Sequence, residues 1–342
     1  MNTLICHAAM ALSTRCRSLH GVGSRLRAAL AVLALGSAAA SPAAPLTLAI
    51  ADLPLFAPVL IAEAQGYYRG EGLDIKILHC VNGKRCLQHL TDGEAQVATV
   101  ADTPIVMAAH AGARFDIVAT IGTSRENRLI ARADRGIRTA ADLKGKRVGF
   151  VKGTTGHYFT NTFLVFNNID PRAVTLVPLE AGEMVAQLVE GRIDAAGLYQ
   201  PHAHYAAMKL GKNAVVLPSP RVYTVTANLV SVPAAAGLGD DELVKILRAL
   251  KRACEFIDEQ PTQAKAMLAA RLHLDAALID ASWSDYDYRL RLDQSLITGL
   301  EAESRWALRE SLVPKGPVPD YLERVRLAPL RSVDQRAVSI VN

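Results

Sequence analysis

Arg147-Val-Gly-Phe-Val-Lys-Gly-Thr-Thr-Gly-His-Tyr-Phe-Thr-Asn-Thr-Phe-Leu-Val-Phe-Asn167 runs from a strand through a glycine-bracketed turn into a helix. Residues 147–151 are the strand and 155–167 the helix. The turn Lys152-Gly-Thr-Thr-Gly-His157 therefore stands at a strand's carboxyl end, where open α/β sheets receive ligands. Its glycines let the backbone turn until N–H groups converge, and a helix N-terminus favours negative charge. Thr154 and Thr155 add hydroxyl donors beside Gly156, and Lys152 and His157 bring basic side chains. A plain capping turn has the same composition.

The alternation extends on both sides. Residues 174–179 and 193–198 are further strands, separated by a helix at 183–190 that Gly191 ends. Upstream, Thr139-Ala-Ala-Asp142 opens a one-turn helix with a capping-box pattern. Strands at 46–50, 73–77, 95–100 and 115–121 alternate with helices at 58–65, 86–91 and 104–110. Strands alternating with helices predict parallel crossover units and an α/β fold. Leu90-x-x-Gly93-x-x-Gln96-x-Ala98 matches Leu188-x-x-Gly191-x-x-Asp194-x-Ala196, and each copy runs into a proline, Pro104 or Pro201. One helix–turn–strand unit used twice predicts two similar lobes, each a mainly parallel sheet flanked by helices. Residues 41–132 with 231–342 make the first lobe and 133–230 the second, with crossings near 132 and 230 forming a hinge. Residues 222–231 are a Val- and Thr-rich strand or crossing segment. A helix capped by Asp240-Asp241 follows, with an apolar stripe of Leu243, Ile246, Leu247, Leu250, Cys254 and Ile257. Helices at 262–271, 276–282 and 294–309 precede a poorly patterned tail, 314–342.

At 342 residues, 50% apolar and 21% charged, the chain is long enough for two such lobes. Aromatics at 5% argue against a carbohydrate cleft lined with rings. Four of the basic residues, Arg15, Arg17, Arg25 and Arg27, lie in residues 1–40, which hold no acid. The rest is almost balanced in charge, so no nucleic-acid partner is expected. That basic stretch, an apolar run at 28–35 and Ser37-Ala-Ala-Ala40 read as a signal peptide over 1–40, cleaved near Ala40/Ser41. Translation starts at Met1 or Met10. The run is far shorter than the ~20 residues that span a bilayer. No cysteine directly follows it, so a soluble, periplasmic, non-lipidated protein is expected.

Asp102 and Thr103 form the matching turn of the first lobe, with Thr103 as cap and Pro104 at the first helical position. Tyr199 and Gln200 follow the last strand of the second lobe, and Asp52 and Phe56 lead into the first helix. Capping and packing would explain several of these residues as well as ligand binding does. Cys6 and Cys16 leave with the leader, and Cys254 lies on an apolar helix face. Cys80 and Cys86, six apart across Asn82-Gly83, read first as a disulfide in an oxidising compartment. A metal site from His79, Cys80, Cys86 and His89 and a pair of reduced thiols are the alternatives. Zinc motifs usually pair cysteines two to four residues apart, and a strand sends His79 and Cys80 to opposite faces, so no metal is expected.

Several segments together resemble a known family. They are Ala62-Glu-Ala-Gln-Gly-Tyr-Tyr68 with Glu71-Gly-Leu-Asp-Ile75, Ala101-Asp-Thr-Pro-Ile105, Asp142-Leu-Lys-Gly-Lys-Arg-Val148 with the turn above, and residues 191–202. In that order and spacing, over about 46–310, the chain resembles the nitrate-, taurine-, aliphatic-sulfonate- and thiamine-precursor-binding proteins of ABC transporters. The resemblance implies a type II periplasmic binding-protein fold, with a small ligand held between two closing lobes. It also implies permease transmembrane subunits as partners, with no cofactor and no catalytic residues; a monomer is expected. Sulfonate-type relatives usually carry Trp-Asp-Pro where this chain has Tyr199-Gln-Pro201, so the ligand's polar contacts should differ. The alternatives are a biosynthetic enzyme similar to the pyrimidine-precursor synthases on the same fold, and a receptor that presents ligand to a sensor. No Gly-x-Ser-x-Gly, His-Glu-x-x-His or Gly-Lys-Ser/Thr motif favours the enzyme.

Overall fold

A computed structural model describes residues 45–219, 223–233 and 238–341; the expected signal peptide lies outside the described residues. Eleven strands are described: β1 (Leu46–Ala51), β2 (Ile75–Cys80), β3 (Val97–Ala101), β4 (Asp116–Ser124), β5 (Arg128–Arg132), β6 (Arg147–Phe150), β7 (Thr175–Pro178), β8 (Ala195–Leu198), β9 (Ala214–Leu217), β10 (Val225–Ser231) and β11 (Tyr286–Asp287). The helices of the first half are α1 (Ala57–Ala64), α2 (Tyr67–Gly70), α3 (Gly83–Thr91), α4 (Asp102–His110), α5 (Thr155–Phe166), α6 (Ala181–Val189) and α7 (His202–Leu210). Those of the second are α8 (Asp240–Glu259), α9 (Pro261–Leu272), α10 (Ala276–Ser282), α11 (Gln294–Arg309) and α12 (Leu327–Val333).

They build two sheets, ordered β11-β4-β10-β3-β1-β2 and β7-β6-β8-β5-β9. β1 pairs in parallel with β2 and β3, and β6 with β7 and β8, as crossover helices require. The internal repeat is physical. Gln96 Oε1 accepts the Thr47 N–H at the start of β1 (2.9 Å), and Asp194 Oδ2 accepts the Arg147 N–H at the start of β6 (2.9 Å). One side chain thus fixes the register of corresponding strands in each lobe.

The boundaries differ from the sequence expectation. Arg128–Arg132 is a strand of the second sheet, antiparallel to β8 and β9, and Val225–Ser231 is a strand of the first, antiparallel to β3 and β4. The chain therefore changes sheets between Ser124 and Arg128 and between Leu217 and Val225, not near 132 and 230. Periodicity marks where strands are but not which sheet takes them. The tail beyond 314 is also better built than its patterning suggests: Tyr321, Leu330 and Ile340 are buried in the first-lobe core. The predicted stripe of α8, from Leu243 to Ile257, is buried throughout.

Two features set the strand-end loops that matter for function. Gly153 takes φ +73° between β6 and α5, a left-handed turn open to glycine. α5 then lies so close on β8 that a Cβ at Gly197 would sit 1.8 Å from Thr160 Oγ1, which itself donates to the Gly156 carbonyl at 2.6 Å. At the end of β2, Cys80 and Cys86 form the expected disulfide, with Cα atoms 5.5 Å apart. It ties β2 to α3, which starts at Gly83 with Asn82 as its cap; Asn82 Oδ1 accepts the Arg85 N–H at 3.0 Å. The other donors of the alternative metal reading pair elsewhere, His79 with Asp52 and His89 with Glu94.

Gly197→Ala should cost about 1–3 kcal/mol of folding stability through this overpacking, read by urea denaturation; an unchanged midpoint would mean α5 can step away from β8. In protein lacking residues 1–40, thiol titration under denaturing, non-reducing conditions should find Cys254 alone, and reduction of the Cys80–Cys86 bond should remove about 2 kcal/mol. Three titratable thiols would contradict the bond.

Candidate functional site

The carboxyl ends of β1, β3, β6 and β8 face one another across the two sheets. Where they meet, Phe56, Thr154, Thr155 and Tyr199 line one cavity, together with Asn82, Lys84 and Glu126. Four of the sequence-predicted residues are thus brought together. The cavity measures about 30 Å³, room for no more than a few waters. Lys84 spans its mouth, its ammonium donating to the Lys152 carbonyl at 3.3 Å, so the first lobe touches the turn of the second.

The donors converge on the start of α5. Thr154 is the N-cap residue, its hydroxyl donating to the Val151 carbonyl at 2.8 Å, and the helix opens at Thr155. The His157 N–H turns back to the Thr154 carbonyl at 2.9 Å, so the N–H groups of Thr155 and Gly156, with the helix dipole, present positive charge to the cavity. The Tyr199 hydroxyl is buried beside Asn82 with no hydrogen-bond partner of standard geometry, and burial pushes its pKa up to about 12. A buried hydroxyl left unmatched is costly and ready to bond a ligand atom.

Other predicted residues are placed elsewhere. His157 stacks on Phe150 at 4.2 Å and meets the Trp306 edge at 5.0 Å. Burial, helped by the Lys152 charge, lowers its pKa to about 4, so it is neutral and supplies no positive charge. Gly156 packs its backbone against the Gly197 carbonyl, where a Cβ would sit at 3.2 Å. The Gln200 side chain accepts the His204 N–H at 3.1 Å and so caps the helix it precedes. Asp52 is exposed and pairs with His79 and Arg271 on the outer face. Asp102 and Thr103 sit inside α4 as its first two residues, so Pro104 is the third, and both turn away from the cavity. Asp102 accepts from Thr103 N–H, Thr226 N–H (both 2.9 Å) and the Tyr223 hydroxyl, and Thr103 donates to Glu303 at 2.6 Å. Burial raises Asp102 to about 6, and burial with the Asp102 charge raises Glu303 well above the usual range. These two carboxyls clamp the second crossing to α4 and α11.

Sequence reasoning missed Asn82, Lys84 and Glu126. Asn82-Gly83 begins a helix after a strand's carboxyl end, the signal that flagged the other turns, but the flanking cysteines drew the reading to a disulfide. Glu126 lies in the first crossing, placed by the sequence reading inside the first lobe. It is 2% exposed and accepts the Tyr286 hydroxyl at 2.5 Å and the Gln200 backbone N–H. Burial, and then the Asp285 charge, raise its pKa to about 7 against those bonds and the Arg128 charge.

Beside the cavity, and sharing Lys84 and Pro104 with it, runs a groove of about 540 Å³. Leu87, Met107, Ala108 and Leu312 give it apolar walls, and Lys84 and Lys152 stand at its edge. Its size is that of a small-molecule site.

A Bacillus subtilis (strain 168) protein, named provisionally as an aliphatic sulfonates-binding protein, is 24% identical over 232 residues, covering 65% of this chain and 69% of the relative. The alkanesulfonate-binding protein SsuA from Xanthomonas axonopodis pv. citri, solved bound to MOPS, superposes with TM-score 0.70 at 19% identity, covering 83% of this chain and 98% of that one. The desulfurization enzyme DszB has a similar fold, with TM-score 0.62, 15% identity and coverage of 85% and 99%. The architecture is therefore that of periplasmic binding proteins, a fold that carries an enzyme too. Among the described residues no helix is long and apolar enough to cross a membrane. Residues 54–264 match the family described as NMT1/THI5 like, and the chain belongs to that family.

Proposed function

We propose that this chain is the extracytoplasmic solute-binding component of an ABC importer and that it captures an aliphatic sulfonate between its lobes. The observation that carries this reading is the convergence of Thr154, Thr155 and Tyr199 on the N-terminus of α5, beside a groove with apolar walls. A sulfonate group takes hydrogen bonds from N–H and hydroxyl donors, and the groove suits the alkyl tail that nitrate lacks. The names of the B. subtilis relative and of SsuA point the same way. An enzyme reading, which DszB raises, has neither a thiol nor an imidazole among the cavity-lining residues to rest on. The free thiol Cys254 is buried on α8, its pKa pushed up to about 12, mainly by burial.

A cavity of about 30 Å³ is too small for the ligand, so on this reading the two connections between the sheets act as a hinge that opens and closes. The permease would be the partner that receives the ligand.

In sulfonate-free buffer, ethanesulfonate and butanesulfonate should raise the melting temperature, while nitrate should not. Stabilisation by nitrate or by an aminopyrimidine alone would overturn the sulfonate assignment. Thr155→Ala and Tyr199→Phe should each weaken butanesulfonate binding by about 1.5–3 kcal/mol, about tenfold to a hundredfold in Kd by calorimetry. Folded variants that bind like the parent would move the anion away from α5. Small-angle scattering should show the radius of gyration falling on addition of butanesulfonate; an unchanged radius at saturation in protein that starts more open than the described arrangement would count against the hinge.

A further inference from the structure

The cleft that presents donors to an anion also contains a buried carboxyl, and the two have to be reconciled. Glu126 lines the same cavity as Thr154, Thr155 and Tyr199. It cannot swing away, because three elements hold it. Its own N–H donates to Ser124 Oγ (2.9 Å) at the end of β4, the Tyr286 hydroxyl of β11 donates to its Oε2 (2.5 Å), and the Gln200 N–H after β8 bonds it from the second lobe. Nor does it have a cation to itself. Arg128, the nearby guanidinium on β5, is engaged by Asp285 at 2.6 Å. The other titratable groups around it are Asp285, Tyr286 and Tyr288 on the first-lobe side, Tyr199 on the second, and Lys84 of α3 across the cavity. Of these, Asp285 disfavours a charge on Glu126, the Tyr286 hydroxyl bond favours one and only partly offsets burial, and the exposed Lys84 is bonded to the Lys152 carbonyl.

We propose that Glu126 is a ligand-cleft residue that takes up a proton from solvent when the anion binds, so that capture is proton-linked. The inference rests on the anion-binding reading above. A second negative charge in a cavity this small disfavours an ionised neighbour, and a carboxyl already poised near neutrality gives way by protonating. Once neutral, its O–H becomes one more donor to the anion. The sign follows from linkage. With Glu126 at about 7 in the free protein and higher in the complex, affinity is full below pH 7. It falls by about tenfold per pH unit between the two values and levels off once both forms are ionised. A ligand with an amine placed at Glu126 would behave in the opposite way, binding better as pH rises.

The test is calorimetry of the intact mature protein with ethanesulfonate at pH 6, 7.5 and 9, repeated near pH 7.8 in Tris and in triethanolamine, whose ionisation enthalpies differ. The expected result is weakening from pH 6 to pH 9, with net proton uptake seen as a buffer-dependent heat. Glu126→Gln should abolish both the pH dependence and the uptake, binding at pH 9 about as the parent does at pH 6. Ethanesulfonate binding that is pH-independent and buffer-independent in the parent would overturn the proton linkage while leaving the sulfonate reading intact. Taurine bound more tightly than ethanesulfonate, with affinity rising with pH, would overturn it in favour of a counter-ion role. Absence of binding by ethanesulfonate, butanesulfonate and octanesulfonate at pH 6 would overturn both readings together.

Discussion

β10 is the constraint on which the rest depends. It arrives from the second lobe and is inserted antiparallel between β3 and β4, pairing with β4 from Val225 to Ser231 and with β3 from Ala227 to Ser231. Leaving either edge unpaired in a buried sheet would strand backbone N–H and C=O groups, each costly to bury alone. With β10 fixed, the second crossing must end at Val225, and the clamp of Asp102 on Thr226 and Tyr223 secures that end against α4. The first crossing leaves β4, the other neighbour of β10, at Ser124. Both crossings therefore join the first sheet at adjacent strands, β4 and β10, and the cleft opens in front of them. Glu126 sits in this region because the chain has only three residues, 125–127, in which to change sheets.

The fold was largely legible, and particular residues show why. Gln96 and Asp194, each six residues after its copy's leucine, Leu90 or Leu188, differ as side chains, yet each accepts an N–H at the start of its lobe's leading parallel strand. The repeat survived in sequence because this contact needs a side-chain acceptor at one position. The stripe of α8 was readable for an equally local reason, the 3.6-residue period of a half-buried helix. The sheet exchange was not readable. Arg128-Leu-Ile-Ala-Arg132 has the pattern of a strand in either lobe, and only pairing with β8 and β9 assigns it.

The site was legible where it rests on backbone geometry and hidden where it rests on burial. A glycine-bracketed turn before a helix announces itself, and Thr154, Thr155 and Tyr199 fell where strand-end reasoning put them. Charge was misread, because the same burial that builds the site changes its protonation. His157 looks like a cation in the sequence and is neutral under Phe150 and Trp306. Asp102 looks like a cleft acid and is spent holding the second crossing. Glu126 gives no sign of itself, since its importance comes from Tyr286, 160 positions away in sequence.

What results is a site whose donors are partial charges, with its full positive charges at the edges. The donors nearest the cavity are the first N–H groups of α5 and the hydroxyls of Thr155 and Tyr199, while Lys84 and Lys152 stay exposed at the mouth. A buried arginine facing the anion would hold it harder, but it would also have to be desolvated in the empty protein or kept paired with an acid there. Neutral donors avoid that cost, and they are already oriented by the helix that Gly153 and Gly197 position. Their bonds to an anion are strong only while water is excluded, since the same interaction weakens steeply as the dielectric rises. In the proposed binding cycle, separating the lobes would break the Lys84–Lys152 contact and admit water to the N-terminus of α5. Tight holding when closed and easy loss when open then follow from one geometric change.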